Sequence, residues 1–377
     1  MGKNKVVFIS HVDSLGGAET VLSEAIDSVI KDNQDILIIV NRKGNGDFYK
    51  KYKGKVKIKR MYFGLIYKNN FKTMIELPFL LLSIIRLIII IKINRVSLIY
   101  SNTSVNILGA IVAKLSKCNH IWHIHEQKNG FFNPNYTWMY NWLMKSYRNI
   151  NVFISKEICE EWNNDILIHK SLIIGNPIKK SINISEDPII TLEKNKEYIV
   201  LGFAGSIVNN KNLILILKAL KEINTNKLKL IIAGDGPLMG EMKEFCSNNN
   251  LSDKVVFLGK IDNMMRFYNS IDILVLPSFT EGVPLVVLEA AINKKLILLT
   301  ENSKMDTVLV KGEDYISINP NDHTQLQFIL QNILQNKEKY YLYINNCYDK
   351  VKFYLESNNF EKLIKEIIKY RCNKNEY

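Results

Sequence analysis

Cysteine is scarce in this chain: five residues, Cys118, Cys159, Cys246, Cys347 and Cys372, at no clustered spacing. An odd number without a C-x-x-C pair excludes a disulfide framework and predicts a reducing compartment. An uninterrupted apolar run of membrane-spanning length is also missing. Leu77 to Lys92 comes nearest, but Arg86 breaks it and it falls short of the ~20 apolar residues a span needs. It reads as a helix placed partly in the core, with pressure on a bilayer surface as the second reading. The N-terminus enters a strand-length apolar stretch directly, so no signal peptide is expected. Repeats of solenoid length are absent. Acidic side chains are in deficit, 37 against 50 Lys and Arg, for a net charge of +13. That excess predicts an acidic partner: nucleic acid, an anionic membrane face or a phosphorylated ligand. No nucleic-acid-binding motif is present, so nucleic acid is not expected.

Hydrophobic content of 47% and charged content of 23% describe a globular protein, and 377 residues suit two domains. The chain is organised around Ser278 to Ala290, SFTEGVPLVVLEA. Before it, Asp272 to Pro277 is an apolar run of buried-strand length. After it, Pro284 suits the first turn of a helix running to Ile292. Gly282 and Val283 then present backbone N–H groups and a helix dipole to an anion. Glu281 in the loop and Glu289 inside the helix are placed to accept hydrogen bonds from hydroxyls beside it. An anion flanked by hydroxyls describes a nucleotide sugar. Taken alone, the pair is equally an ordinary turn with Thr280 as the cap and both carboxylates solvated.

Upstream, strands at Lys5–Ser10, 36–40, 56–60, 97–101, 120–125, 151–155 and 172–174 alternate with helical segments at 18–30, 74–91 and 105–115. Such alternation predicts a parallel sheet covered on both faces, with ligands beyond the carboxyl ends of its strands. Gly16, Gly17, Asn102 and His125 fall at such ends. The Gly16–Gly17 pair, between a strand and a helix, suits a phosphate or simply a tight turn. His123 and His125 share a face, but no third ligand appears at recognisable spacing, so no metal is expected. His123 reads as a core residue and His125 faces the ligand side. Residues 175–196 read as an interdomain linker, after which the α/β pattern restarts at Tyr198. Lys211, beside the start of a helix over 213–220, opposes the helix dipole unless an anion sits there, or is simply exposed. Helices are expected at about 322–335, 340–356 and 361–370.

Seven segments together resemble glycosyltransferase family 4, the large retaining family of GT-B fold. They are SLGGAE (Ser14 to Glu19), the strand-end His125, IIGNPI (Ile173 to Ile178), GFAGSIVNNKN (Gly202 to Asn212), AGDGPL (Ala233 to Leu238), VVFLG (Val255 to Gly259) and DILVLPSFTEGVPLVVLEA (Asp272 to Ala290). The resemblance covers essentially the whole chain. It implies an α/β protein of two Rossmann-like domains facing across a cleft: residues 1–178 joined by a terminal helix at 360–377, and residues 197–357, which hold the donor. By the same resemblance Glu289 accepts from the ribose hydroxyls. Glu281, Gly282 and Val283 hold the donor sugar and diphosphate, and Lys211 neutralises the diphosphate. Gly16 and Gly17 lie beside phosphates and acceptor, and His125 lies near the transferred sugar. Ser206 stands where the family often has arginine, which removes half of a cationic pair. Neither a cofactor nor a metal is implied. The expected activity is transfer of a hexose or N-acetylhexosamine, favouring a UDP-sugar, to a lipid-linked saccharide in surface polysaccharide assembly. The basic charge and the 77–92 helix place that acceptor at an anionic membrane, on the cytoplasmic face. A nucleotide-sugar epimerase and a catalytically silent binding subunit are the rival readings.

Overall fold

The computed structural model describes residues 5–373 apart from 33, 68, 129–133, 164–170 and 179–197. Beyond residue 178 the expected linker lies outside the described residues. The chain divides into two compact units, Met1–Pro177 with Asn358–Tyr377, and Ile178–Ser357.

The first unit is built on β1 (Lys5–Ser10), β2 (Asp35–Asn41), β3 (Lys57–Met61), β4 (Val96–Asn102), β5 (Asn119–Ile124), β6 (Asn149–Phe153) and β7 (Ser171–Ile173). Their order is β3-β2-β1-β4-β5-β6-β7, and every pairing is parallel. Strands β1 and β5 are buried along their whole length, the signature of a parallel sheet covered on both faces. Edge strand β3 instead carries exposed Lys57, Lys59 and Arg60, charges that discourage edge-to-edge pairing. Helices α1 (Gly17–Ile30), α2 (Asp47–Tyr52), α3 (Asn70–Ile93) and α4 (Ile107–Ser116) fall between the first five strands. The terminal helix, Phe360–Asn373, completes this unit. Its last turn is held by Asn119 Nδ2 donating to the Arg371 carbonyl at 2.7 Å, and Arg371 in turn donates to the Asn149 carbonyl at 3.3 Å.

Two expectations need correction here. The strand expected at 151–155 runs two residues earlier, Asn149–Phe153, and stops before Ser155 because that residue serves the next helix, its Oγ accepting from Ile158 N at 3.3 Å. More consequential is α3, which is not chiefly a core helix. Its buried stripe is Thr73, Glu76, Leu80, Ser83, Leu87 and Ile91, half of it polar, while most of its apolar side chains are exposed. Each buried polar group has a specific partner. Thr73 Oγ1 bonds to Tyr67, Glu76 accepts from Lys43 and Tyr62, and Ser83 donates to Tyr62 and Phe79 carbonyls.

The second unit contains β8 (Ile199–Ala204), β9 (Leu228–Ala233), β10 (Val255–Gly259), β11 (Ile273–Leu276), β12 (Leu296–Thr300) and β13 (Ile316–Ile318), in the order β10-β9-β8-β11-β12-β13. All pairs are again parallel. One face of the sheet packs Leu201, Phe203, Leu230, Val275 and Leu298 against helices Leu213–Glu222 and His323–Gln335. Each sheet reverses its winding beside its first strand, at β1/β4 and at β8/β11. In open α/β sheets such switch points leave a crevice beyond the strand ends where ligands bind.

Candidate active site

In the second unit, two loops leave the carboxyl ends of the switch-point strands: residues 205–212 after β8 and 277–284 after β11. The first is shaped by close backbone approach. Gly205 (φ +149°) and Gly234 (φ +146°) sit so near that a Cβ on Gly234 would lie 1.9 Å from the Gly205 carbonyl oxygen. The AGDGPL turn thereby fixes the floor of the loop, with Ile207 N donating to the Asp235 carbonyl at 3.0 Å. The chain then makes a 3-10 turn, Asn209–Lys211, and left-handed Asn212 donates to the carbonyls of Pro277 and Pro320. Asn210 clasps the second loop. It accepts from Thr280 Oγ1 at 3.0 Å through Oδ1, donates to the Thr280 carbonyl, and takes Phe279 N on its own carbonyl.

That clasp brings Lys211 and Glu281 together as an ion pair. Ser278 Oγ donates to the same carboxylate at 2.5 Å, and the Glu281 carbonyl accepts from Lys304 N at 3.0 Å. Glu281 is buried and Lys211 is a quarter exposed. Neither is the solvated surface charge allowed by the plainer readings. Thr280 is no helix cap, because its hydroxyl is spent on Asn210. Pro284 stands one residue earlier than expected, as the N-cap of helix Leu285–Ile292 (φ −70°, ψ 127°). Gly282 and Val283 directly precede that cap, and the Val283 side chain is buried. Glu289 lies one turn into the helix, half-buried, and accepts from the Tyr268 hydroxyl at 2.7 Å. Burial and the Glu289 charge hold the Tyr268 pKa well above its ordinary value, so the phenol remains a donor. Ser206 is exposed at the lip of the first loop.

In the first unit, His125 lies one residue past β5 rather than inside it. Its Nε2 is 2.8 Å from Asn102 Oδ1, and Asn102 Nδ2 donates to the Ala18 carbonyl at the start of α1. The pairing makes Nε2 the protonated nitrogen and leaves Nδ1 as an unprotonated acceptor. Burial, then the neighbouring His123 and His11, push the His125 pKa well down, so it is neutral. His123 is a core residue, 2.7 Å from the Tyr100 hydroxyl, with burial lowering its pKa to about 3. Gly16 caps α1 and Gly17 is its first residue; both are exposed. Neither has the left-handed φ that would demand glycine, and a Cβ on Gly17 would touch nothing within 4 Å. The fold therefore does not require glycine at 17.

Several side chains at these sites were not singled out in sequence. Tyr268 lies too far upstream of Glu289 for any local spacing to reveal the bond. His11 was visible as a strand-end residue. It sits at the β1/β4 switch, with Nδ1 3.2 Å from Glu19 Oε1 and 3.3 Å from Thr103 Oγ1. Burial lowers the His11 pKa, but the Glu19 charge and hydrogen bond outweigh this and raise it. Glu126, next to His125, accepts from Ser104 N at 2.9 Å, and burial raises its pKa against that bond.

Residues 186–350 match the family described as Glycosyl transferases group 1, and that range holds Lys211, Tyr268, Glu281 and Glu289. The match covers most of the second unit, which resembles a group 1 glycosyltransferase domain over that range. An N-acetylgalactosaminyltransferase of Campylobacter jejuni, acting on a GalNAc-GalNAc-diNAcBac-PP-undecaprenol, is 36% identical over 31% of this chain and 32% of its own. The Escherichia coli UDP-Gal:alpha-D-GlcNAc-diphosphoundecaprenol alpha-1,3-galactosyltransferase is 31% identical over 34% of each chain. The chain thus spans about a third of the length of these curated relatives. The crystal structure of Anabaena HepE in complex with UDP-glucose superposes with a TM-score of 0.76, covering 97% of this chain and 99% of that one at 15% identity. At that identity the likeness establishes the fold, which is GT-B.

Proposed function

We propose that the protein is a retaining glycosyltransferase whose group 1 domain binds a nucleotide sugar at Lys211, Glu281, Gly282, Val283 and Glu289. The observation that carries this is the Lys211–Glu281 pair, held at the switch point of the second sheet by Ser278 and the Asn210 clasp, inside the matched range. Leaving-group charge develops on the diphosphate as the glycosidic bond breaks, and a preorganised cation stabilises it more in the transition state than in the ground state. Lys211, pointed at a carboxylate in the free protein, exchanges that partner for phosphate. Gly282 and Val283 supply backbone N–H donors, and Ser206 a hydroxyl. Glu289, already fixed by Tyr268, takes the ribose hydroxyls. In the first unit, neutral His125, with Nδ1 free of a proton, serves the transferred sugar as a hydrogen-bond acceptor, and the Gly16–Gly17 backbone leaves room for a ligand at the start of α1. These groups supply the charge neutralisation without a divalent ion, so activity is expected to survive chelation.

The acceptor in this reading is a lipid-linked saccharide of surface polysaccharide assembly, met at the cytoplasmic face of a membrane. The names of the Campylobacter and Escherichia relatives, both acting on undecaprenol-linked sugars, support that class. UDP is favoured as the carrier nucleotide, in keeping with the E. coli relative and the HepE complex. The test is a thermal-shift panel of UDP-, GDP- and ADP-sugars on the wild type and on Glu289→Ala. Ligand at one hundred times its Kd stabilises by about 2.7 kcal/mol, a shift of a few degrees. One selective shift that disappears in Glu289→Ala is expected. No shift with any nucleotide sugar would move the silent-subunit reading ahead.

A further inference from the structure

Helix α3 is amphipathic in the wrong sense for a helix facing water. Its inward stripe contains Thr73, Glu76 and Ser83, and its outward face, at spacings of three and four, is Phe71, Ile75, Pro78, Leu82, Ile85, Ile89 and Ile93. Ten apolar side chains of the helix are between 45% and 76% exposed. A surface helix normally shows the reverse pattern, and contiguous apolar surface of this extent marks an interaction site. Scattered exposed leucines need no explanation, but a whole face does.

Charge identifies what covers it. Beside the outer face lies a shallow pocket of about 440 Å³ formed by Lys59, Arg60, Met61, Arg86, Ile89 and Ile90, in which cations meet the apolar rim of the helix. Arg60 is partly satisfied by Asp13 at 2.7 Å, whereas Lys59 and Arg86 make no ion pair among the described residues. Lys72 and Lys92 lie in the first and last turns of the same helix, and the chain carries +13 overall. At its N-terminus, Asn135 Nδ2 reaches Asn70 Oδ1 at 3.3 Å. This brings up the helix starting at Thr137, whose Trp138 and Trp142 are exposed. Tryptophan is the side chain favoured at the boundary between headgroups and acyl chains. Apolar area, a cationic rim and boundary tryptophans together fit an anionic bilayer surface.

We propose that α3 lies in the plane of an anionic membrane, its outer face seated in the headgroup–acyl boundary and the Lys59/Arg86 pocket holding a lipid phosphate. The helix does not cross the bilayer, because its inner stripe is fastened to the first unit from Thr73 to Ile91. This deepens the membrane-bound acceptor of the proposed function by naming the surface that meets the membrane, and it rests on first-unit residues alone.

Co-sedimentation of the full chain with phosphatidylcholine vesicles, with and without one third phosphatidylglycerol, tests it. Binding to the mixed vesicles is expected to be at least about tenfold tighter and to weaken with salt. The variant Ile85→Gln/Ile89→Gln changes only exposed positions, so its melting temperature is expected to be unchanged while binding falls at least about tenfold. Arg86→Glu is expected to reduce the anionic preference about fivefold or more. Wild type that ignores both vesicles, or a double variant that binds like wild type, overturns the proposal. So does a dimer of the wild type that the double variant dissolves, since the face would then belong to a second copy. The nucleotide-sugar thermal shift reports on the second unit and is read separately, so failure of one claim leaves the other intact.

Discussion

Glu281 is a carboxylate buried because partners meet it: the Lys211 ammonium and the Ser278 hydroxyl. Removing the cation alone strands that charge, which costs more than the pair contributes. Lys211→Met is therefore expected to lower the melting temperature of the second unit and to reduce kcat by at least about a hundredfold. Adding Glu281→Gln is expected to recover melting temperature but not kcat. Recovery of both would make the lysine merely structural. At the other site His11 offers a pH signature. Its pKa is raised above 6.5 by Glu19, so the stabilisation from that contact is fully present below 6.5. It is lost as pH rises through the raised folded-state value. The melting-temperature advantage of wild type over Glu19→Gln should accordingly be largest in mild acid and vanish in mild alkali. A difference that does not vary with pH would contradict the assignment.

Among the elements, two glycines that look alike in sequence behave oppositely. Gly234 combines φ +146° with a 1.9 Å approach to Gly205, so Gly234→Ala should cost at least about 2 kcal/mol in a denaturant melt. Gly17 has open space and an ordinary φ at the first position of α1. Gly17→Ala should keep stability or raise it by up to about 1 kcal/mol, while impairing turnover if ligand approaches the bare backbone there. Loss of stability instead would make Gly17 a folding residue. Elements such as β1, β2 and the helix at 213–222 were legible because continuous apolar runs or 3.6-residue periodicity coincide with their burial. Glu281, Glu289 and Lys211 were legible as a motif, but their partners were not. Tyr268 and Asn210 meet them only through tertiary loops. Strands β12 and β13 passed unmarked although Leu296–Thr300 is a clear apolar run, because two lysines and a short span precede it. The nature of α3 could not be read from apolar content, since a core helix and a helix with an apolar outer face share it; burial decided between them.

For the molecule as a whole, two parallel sheets each place polar side chains at a winding reversal, and a separate basic, apolar face lies on the first unit. The proposed donor site, the neutral histidine and the proposed membrane face are thus separate claims that can fail one at a time. The most direct measurement of the transferase reading supplies a nucleotide sugar that shifts the melting curve, together with a short-chain polyprenyl-diphosphate saccharide. Mass spectrometry then follows acceptor and nucleotide together. The expected result is an acceptor heavier by one hexose or N-acetylhexosamine, formed in step with free nucleoside diphosphate and abolished in Lys211→Met. Donor converted at the same rate with no acceptor present, and no acceptor gain when it is, would contradict it.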